Sequence, residues 1–402
     1  MKEGWTYKKL GEVCDNINGL WKGKKPPYIN VGVIRNANFT KDFKIRYDNI
    51  EYLDVEERQY SKRKLLKGDL IIEKSGGGEK QPVGRAVLFD KEEGEFSFSN
   101  FTSVLRIKND QELSSRYLYI YLYYIYKRGD TLSMQKATTG IHNIEFDKYL
   151  GIEVPYLSIS EQQRIVSRLD SAFSHIDELK ANAEKQLSEA RALFQKSLAK
   201  ALEPKEDWKF YHLQDICTDV VDCPHTTPRK VDKPTIYPCI RTSELRGGQI
   251  DWKTMQYLDE EEYKKRTTRI IPKENDIVYG REGTYGDAAL LPKGYCFSLG
   301  QRTMLLRPNV DLVYPEFLLN MLISTHVYEQ AKAKNSGCGV GHVNVKDIKV
   351  FKIYIPPLSE QQRIVERLDA LSALVRELEV NQKKIISECD ALKQALLRKV
   401  FE

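Results

Sequence analysis

Paired cysteines are the first thing this chain lacks. Its seven cysteines (Cys14, Cys217, Cys223, Cys239, Cys296, Cys338 and Cys389) are odd in number, and none stands at C-x-x-C spacing. That argues against zinc ribbons and suits a reducing cytoplasm. Cys14 and Cys217 follow matching segments and read as small apolar core residues. Long apolar runs are missing too. No stretch approaches the roughly 20 residues of a membrane-spanning helix. The nearest, Tyr117–Tyr126, reads as a packed helix or strand whose phenols reach the surface. The opening residues Met1-Lys2-Glu3-Gly4-Trp5 have no apolar signal-peptide core, so the expected protein is cytoplasmic and makes no membrane contact.

Catalytic signatures are also scarce. Gly76-Gly77-Gly78 lacks the spacing of a nucleotide-binding loop. Lys25-Pro26-Pro27-Tyr28 differs at the decisive first position from the Asn/Asp-Pro-Pro-Tyr motif of amino-methyltransferases. That position must accept a hydrogen bond from the target amine, which a lysine cannot do. No glycine-rich strand–loop–helix for a methyl donor appears, and no carboxylate cluster with a nearby lysine recurs in both halves. The chain alone is expected to be non-catalytic and to carry no cofactor or metal. Charge of one sign is not in large excess either: 63 Lys and Arg face 57 Asp and Glu, a net +6. Such a balance permits a polyanionic partner without requiring one.

What is present is a duplication. In 402 residues, 41% of them apolar and 30% charged, the composition is that of a folded globular protein. The hexapeptide Ser-Glu-Gln-Gln-Arg-Ile occurs at Ser160–Ile165 and again at Ser359–Ile364, and such repeats govern the fold assignment. Trp5–Cys14 parallels Trp208–Cys217. Lys67-Gly-Asp-Leu-Ile-Ile-Glu73 parallels Lys273-Glu-Asn-Asp-Ile-Val-Tyr279, each leading into a glycine-bearing loop, 74–80 and 280–286. Leu105-Arg106 answers Leu306-Arg307, and late in each half a small-residue loop carries a histidine, His142 or His342. Between these anchors, 19–40 and 221–247 share little. The expected class is therefore α+β: two tandem pseudo-symmetric α/β globular domains, 1–153 and 204–354, followed by long helices at 154–203 and 355–402. A helix is also predicted near 114–127 and 315–332.

The long helices show alternating steps of four and three. One series runs Ile165, Leu169, Ala172, Ile176, Leu179, Ala183, Gln186, Ala190 and Leu193. The other runs Ile364, Leu368, Leu371, Val375, Leu378, Gln382, Ile385, Cys389, Leu392 and Leu396. This is a coiled-coil seam, with Ser160…Gln163 and Ser359…Gln362 reading as capping boxes. About 40 residues make a rod of roughly 60 Å. An apolar stripe that long needs a partner, and the second helix in the same chain is the one at highest effective concentration. Antiparallel pairing, with Gln186 and Gln382 placed to set register, is expected.

Tandem domains, each followed by a helix introduced by Pro-x-Leu-Ser…Glu-Gln-Gln-Arg-Ile, together with Trp5/Trp208 and the Gly-Asp-Leu-Ile turn, resemble the specificity subunit of type I restriction–modification systems. The first copy departs by two inserted residues, Leu157-Ser-Ile-Ser160 against Leu358-Ser359. The resemblance implies that each globular domain reads one half of a split asymmetric site in double-stranded DNA. It also implies that the helices set the gap and dock two methyltransferase subunits, joined in some systems by restriction subunits. S-adenosylmethionine would belong to the methyltransferase partner, and the assembled complex would be an adenine-specific methyltransferase and, with a nuclease/translocase subunit, an endonuclease.

Cations for phosphates and polar side chains for base edges then give the candidates. In the first half they are Trp21, Lys22, Lys24, Lys25, Asn30, Arg35, Lys74, Ser75, Lys80, Arg85, His142 and Asn143. In the second they are His225, Thr226, Arg229, Lys230, Arg241, Arg281, Thr284, Tyr285, His342 and Asn344. Arg241 aligns approximately with Asn30, a difference that would suit guanine in one half and adenine in the other. Two other readings stay open from sequence: a coiled-coil scaffold presenting two protein-binding domains, and an autonomous DNA methyltransferase.

Overall fold

Leu70, Ile71 and Ile72 are all fully buried, although neighbouring strand residues point to opposite faces. The strand they form must therefore be covered on both sides. The computed structural model describes residues 5–21, 23–78, 81–138, 140–283, 285–335 and 341–402, and the chain divides into two units, Met1–Ala183 with Lys383–Glu402, and Glu184–Gln382.

The first unit contains β1 (Cys14–Asn18), β2 (Tyr28–Ile34), β3 (Glu51–Glu56), β4 (Leu70–Glu73), β5 (Ser75–Gly77), β6 (Ala86–Leu88), β7 (Phe96–Phe98), β8 (Thr102–Ile107), β9 (Gln135–Thr138) and β10 (Ile141–Ile144). One sheet has the order β1-β8-β4-β6, a second β3-β2-β7, and a third β9-β10-β5. Leu70, Ile72 and Leu105 face the helix α1 (Ser115–Arg128), while Ile71, Val87 and Val104 pack on Ile34 and Phe98 of the second sheet. The apolar run in β4 follows from this three-layer arrangement.

The second unit repeats it with β11 (Cys217–Asp222), β12 (Pro238–Ile240), β13 (Gln256–Tyr257), β14 (Ile277–Gly280), β15 (Ala288–Leu290), β16 (Ser298–Leu299) and β17 (Thr303–Pro308). The sheets run β11-β17-β14-β15 and β13-β12-β16. The central strands of the small sheets pair parallel with their last strand in both units, Ile34 with Phe98 and Ile240 with Leu299.

A buried ion pair recurs as well. Asp69 is held in a bidentate grip by Arg106 at 2.8 and 2.7 Å, and Asp276 by Arg307 at 2.8 and 2.8 Å. Each carboxylate also accepts the backbone N–H three residues before it, Leu66 or Lys273. The Gly-Asp-Leu-Ile turn and the Leu-Arg dipeptide recur together because they are two ends of one contact.

The phenols of α1 do not reach the surface as expected. Tyr119, Tyr121 and Tyr126 donate to the carbonyls of Phe43, Glu153 and Pro82 at 3.0, 2.8 and 2.9 Å, and Tyr124 donates to the Glu402 carboxylate at 2.7 Å. Tyrosine suits this helix at 119, 121 and 126 because the ring fills apolar space while the hydroxyl satisfies a backbone acceptor. The matching region of the second unit is two helices, α3 (Pro315–Leu322) and α4 (Thr325–Ala333), separated where Ser324 caps the second by accepting from the Val327 N–H.

The long helices are α2 (Ile159–Ala201) and α5 (Leu358–Phe401). Neither begins with the expected capping box, because Ser160 and Ser359 already lie inside the first turn. Ser158 caps α2 through the Glu161 N–H, and Pro357 precedes α5 with its carbonyl accepting from Glu360 and Gln361. The glutamine of the hexapeptide has a different task. Gln162 is fully buried; its amide accepts from the Ser114 N–H at 2.8 Å and donates to the carbonyls of Glu112 and Leu157 at 2.8 and 2.9 Å. Gln361, equally buried, accepts from Tyr314 and donates to Leu312 and Pro356 at 2.9, 3.0 and 2.9 Å. Each ties the start of a long helix to the loop before α1 or α3.

Within each unit the two long helices pair antiparallel. In the first, Asp177 meets Lys393 and Lys180 meets Asp390. In the second, Gln186 accepts from Gln382 at 2.9 Å and Arg191 meets Glu379 at 2.7 Å. Ile165, Leu169, Ile176, Ile364 and Leu368 are buried as the heptad pattern requires, and Leu371, Val375 and Leu378 are half-buried. Four expected seam residues are not: Leu179, Leu193, Ile385 and Leu392 are exposed. The inward positions step by four twice in succession, Ile176 to Lys180 and Gln382 to Ile386, before returning to Ala183, Leu187 and Phe194, and to Cys389 and Lys393. A strict 3.5-residue repeat drifts against the 3.6-residue turn of a straight helix, and one extra step of four resets it.

Gln162→Ala leaves a buried N–H and two carbonyls without a partner. It is expected to cost about 2–4 kcal/mol, read as a shift of the urea midpoint of the first unit, and Gln361→Ala should do the same to the second.

Candidate nucleic-acid interface

The divergent loops of each unit gather at one edge of the shared frame. In the first unit β10 pairs with β5, setting His142 opposite Gly77 and Asn143 opposite Ser75, and the Ser75 hydroxyl bonds the Asn143 side chain. The N–H groups of Lys74 and Ser75 donate to the Phe101 carbonyl at 3.0 and 3.1 Å. The Asn36 amide donates to the Ser75 carbonyl. Leu20, just before Trp21, bridges to Ser99. A chain of contacts thus links the segments that carry Trp21, Arg35, Lys74, Ser75, His142 and Asn143.

In the second unit Glu282 bridges to His342, and the Gly283 N–H donates to the Gly341 carbonyl at 2.9 Å. The Arg281 N–H donates to the Arg302 carbonyl at 3.0 Å, as that of Lys74 does to Phe101. Asp222 bonds His225 and Arg281 at 3.1 and 3.0 Å, and Glu282 bonds Arg281 and His342 at 3.0 and 3.1 Å and Arg302 at 3.4 Å. Gln301 holds the His225 carbonyl at 3.1 Å, and Asn344 pairs with His342 at 3.2 Å. Tyr285 lies at the same edge, stacked on Tyr328 at 5.8 Å with the rings 7° from parallel.

Other candidates are placed differently. Lys22, Lys80 and Thr284 lie outside the described residues. Lys24, Lys25 and Lys230 are exposed. Asn30 is bonded to Asp54 at 2.8 Å, Arg229 to Asp259 and Glu261 at 3.0 and 3.4 Å, and the Thr226 carbonyl to Arg266 at 3.0 Å. Arg85 and Arg281 are buried; Arg85 is paired with Glu73 at 2.6 Å. These two buried guanidiniums are committed to carboxylate partners, Arg281 to Asp222 and Glu282, so they brace the loops from inside rather than offer free charge.

Arg241 does not correspond to Asn30. It follows β12 as Arg35 follows β2, and each precedes a 3₁₀ turn whose third residue, Glu244 or Asn38, accepts its N–H at 2.9 Å. The guanidinium of Arg241 is clasped by buried Glu244, whereas that of Arg35 pairs with Glu51 on β3.

The register also exposes residues that sequence reading passed over. After β7 the turn Ser99-Asn100-Phe101-Thr102 matches Gly300-Gln301-Arg302-Thr303, each threonine hydroxyl donating three residues back, at 2.8 and 2.9 Å. At its tip stand exposed Phe101 in one unit and exposed Arg302, with φ +71°, in the other. The only signal in the sequence was their place just before the repeated threonine. Burial pushes the thiols of Cys14 and Cys217 up to about 12, so both stay protonated at neutral pH. Among the described residues no group of three or more His, Cys, Asp or Glu is arranged to hold a metal ion, and no helix is long and apolar enough to cross a membrane.

The type I restriction modification DNA specificity domain matches this chain twice, over residues 2–189 and 205–388. The chain belongs to that family, as a specificity subunit with two such domains. It is 24% identical to the EcoKI specificity subunit of Escherichia coli K12 and 23% identical to the StySPI specificity subunit of Salmonella potsdam, each comparison spanning 100% of this chain and 89% of the relative. Two solved structures share its fold. One, from work on complex assembly and conformational transition of the type I R–M system, has a TM-score of 0.77 at 19% identity and covers 100% of this chain and 98% of its own. The other, the HsdS subunit of Thermoanaerobacter tengcongensis, has a TM-score of 0.57 at 18% identity and covers 100% and 97%. The role is DNA recognition, not catalysis, and the scaffold and autonomous-enzyme readings fall with that assignment.

Arg302→Ala is expected to weaken binding of the cognate duplex by about 1–3 kcal/mol and to relax discrimination at one base position of one half-site. Fluorescence-anisotropy titration of cognate and singly mismatched duplexes reads both. Arg281→Ala should instead lower the melting temperature, because it removes the buried cation that Asp222 and Glu282 share.

Proposed function

We propose that each unit reads one part of a split DNA site and that the paired helices fix the unread gap between the parts. One observation carries this: two units with the same two main sheets, ion pair and glutamine tie present different side chains at equivalent loop positions, Phe101 against Arg302 and Asn100 against Gln301. A common frame with unlike tips is what reading two unlike sequences requires, since phosphate contacts position and base-edge contacts specify.

The same reading assigns partners. Two methyltransferase subunits would dock along the long helices, where Leu179, Leu193, Ile385 and Leu392 leave apolar surface uncovered, an arrangement more typical of an interface than of a lone surface. These subunits would bring S-adenosylmethionine and adenine methylation, with restriction subunits adding cleavage where a system has them. The residues of this chain hold and orient the duplex. The described cysteines are all free thiols, which fits a cytoplasmic setting.

Inserting four residues into one long helix after Ala183 is expected to change the gap between the methylated half-sites, or to abolish assembly, while leaving both half-site sequences as they were. Genome-wide methylation mapping in a host carrying the variant checks this; altered half-site sequences would rule the spacer role out. Replacing residues 1–153 with those of another family member should change one half-site alone.

A further inference from the structure

The first unit carries a hollow at its loop edge that its framework does not use. Trp21, Val33, Leu53 and Phe101 are among the residues that wall a cavity of about 450 Å³, within the roughly 300–1,000 Å³ of ligand pockets. Its rim is aromatic: Trp21 is 66% and Phe101 49% exposed.

Three residues of its lining hold polar atoms shielded from solvent and without a hydrogen-bond partner: Arg35 Nε, Asn36 Oδ1 and Ser99 Oγ. Buried polar groups are paired in the great majority of cases, so these three unpaired atoms mark the wall behind the hollow as polar and incompletely satisfied. Lys74 is joined to its rim through Phe101, and exposed Lys24 and Lys25 follow Trp21 within four residues of the chain.

The equivalent place in the second unit carries a side chain. Arg241, the counterpart of Arg35, lies across Gly300, where an added Cβ would stand 2.4 Å from the arginine Cγ, and its guanidinium is fixed on Glu244. One frame therefore holds a filled site in one unit and an open one in the other.

A ligand that fits must be planar and aromatic for Trp21 and Phe101, must carry donors or acceptors on its edge for Asn100 and the half-exposed Arg35–Glu51 pair of the lining, and must hang from a polyanion. A nucleobase meets all three requirements. We propose that the hollow of the first unit takes one base unstacked from the duplex, with Trp21 against its face. The inference rests on the DNA-reading role above and adds to it a position read by extrusion rather than in the groove.

The test uses the full-length chain, purified from its own host with the subunits it retains, and duplexes carrying its mapped site with 2-aminopurine at successive positions. A several-fold fluorescence rise is expected at one position of one half-site, distinct from the methylated base, which the methyltransferase must itself extrude. Trp21→Ala and Ala37→Phe, both changes at exposed positions of the lining, should each abolish that rise and weaken binding roughly tenfold. Retention of the duplex with no enhanced position besides the methylated base overturns this inference alone, as does an enhancement that survives both variants. If the wild-type protein retains no duplex, the DNA-reading role falls with it.

Discussion

The architecture depends on a side-chain amide. Gln162 and Gln361 stand two residues into the repeated hexapeptide, fully buried, each saturating one backbone donor and two backbone acceptors from two directions. No smaller residue reaches both sides, and a carboxylate could not donate to the two carbonyls. The bond fixes where a long helix leaves its globular domain, and therefore which of its faces turns inward. The apolar stripe, the buried ends Leu198 and Leu397 and the antiparallel charge pairs all follow from that departure point.

On this fixed frame the two units diverge where divergence costs least. The bidentate pairs Asp69–Arg106 and Asp276–Arg307 and the threonine-closed turns are preserved in detail, whereas the turn tips and the loops after β1 and β11 are free to differ. The arginines at 35 and 241 show how small a change suffices. Both follow the same strand and precede the same 3₁₀ turn, yet one is paired across to Glu51 and the other down to Glu244, because position 38 is an asparagine and position 244 a carboxylate.

Much of this was legible in the sequence, for physical reasons. Repetition revealed two equivalent units, and the steps of four and three revealed helices that need each other. What was illegible depended on geometry that periodicity does not carry. A heptad count extended past Ile176 and Gln382 placed Leu179, Leu193, Ile385 and Leu392 inward, because no residue type marks where a helix takes an extra step of four. Ser160 and Ser359 resembled caps, although the chain turns helical before them. Arg85 and Arg281 looked like free cations because Glu73 and Asp222 are distant in sequence. Arg302 and Phe101 escaped notice because a turn tip carries no pattern, and the misplacement of Arg241 against Asn30 came from counting across loops of unequal length.

One arrangement bears on how the protein comes into being. Phe401 packs against Tyr117, Tyr121 and Tyr124, so the core of the first unit is completed by a segment translated after the whole of the second. Glu184–Gln382, by contrast, is one uninterrupted stretch that holds everything its core requires. During synthesis the later unit can therefore close first, while the tyrosine face of the earlier one stays wet until the returning helix arrives.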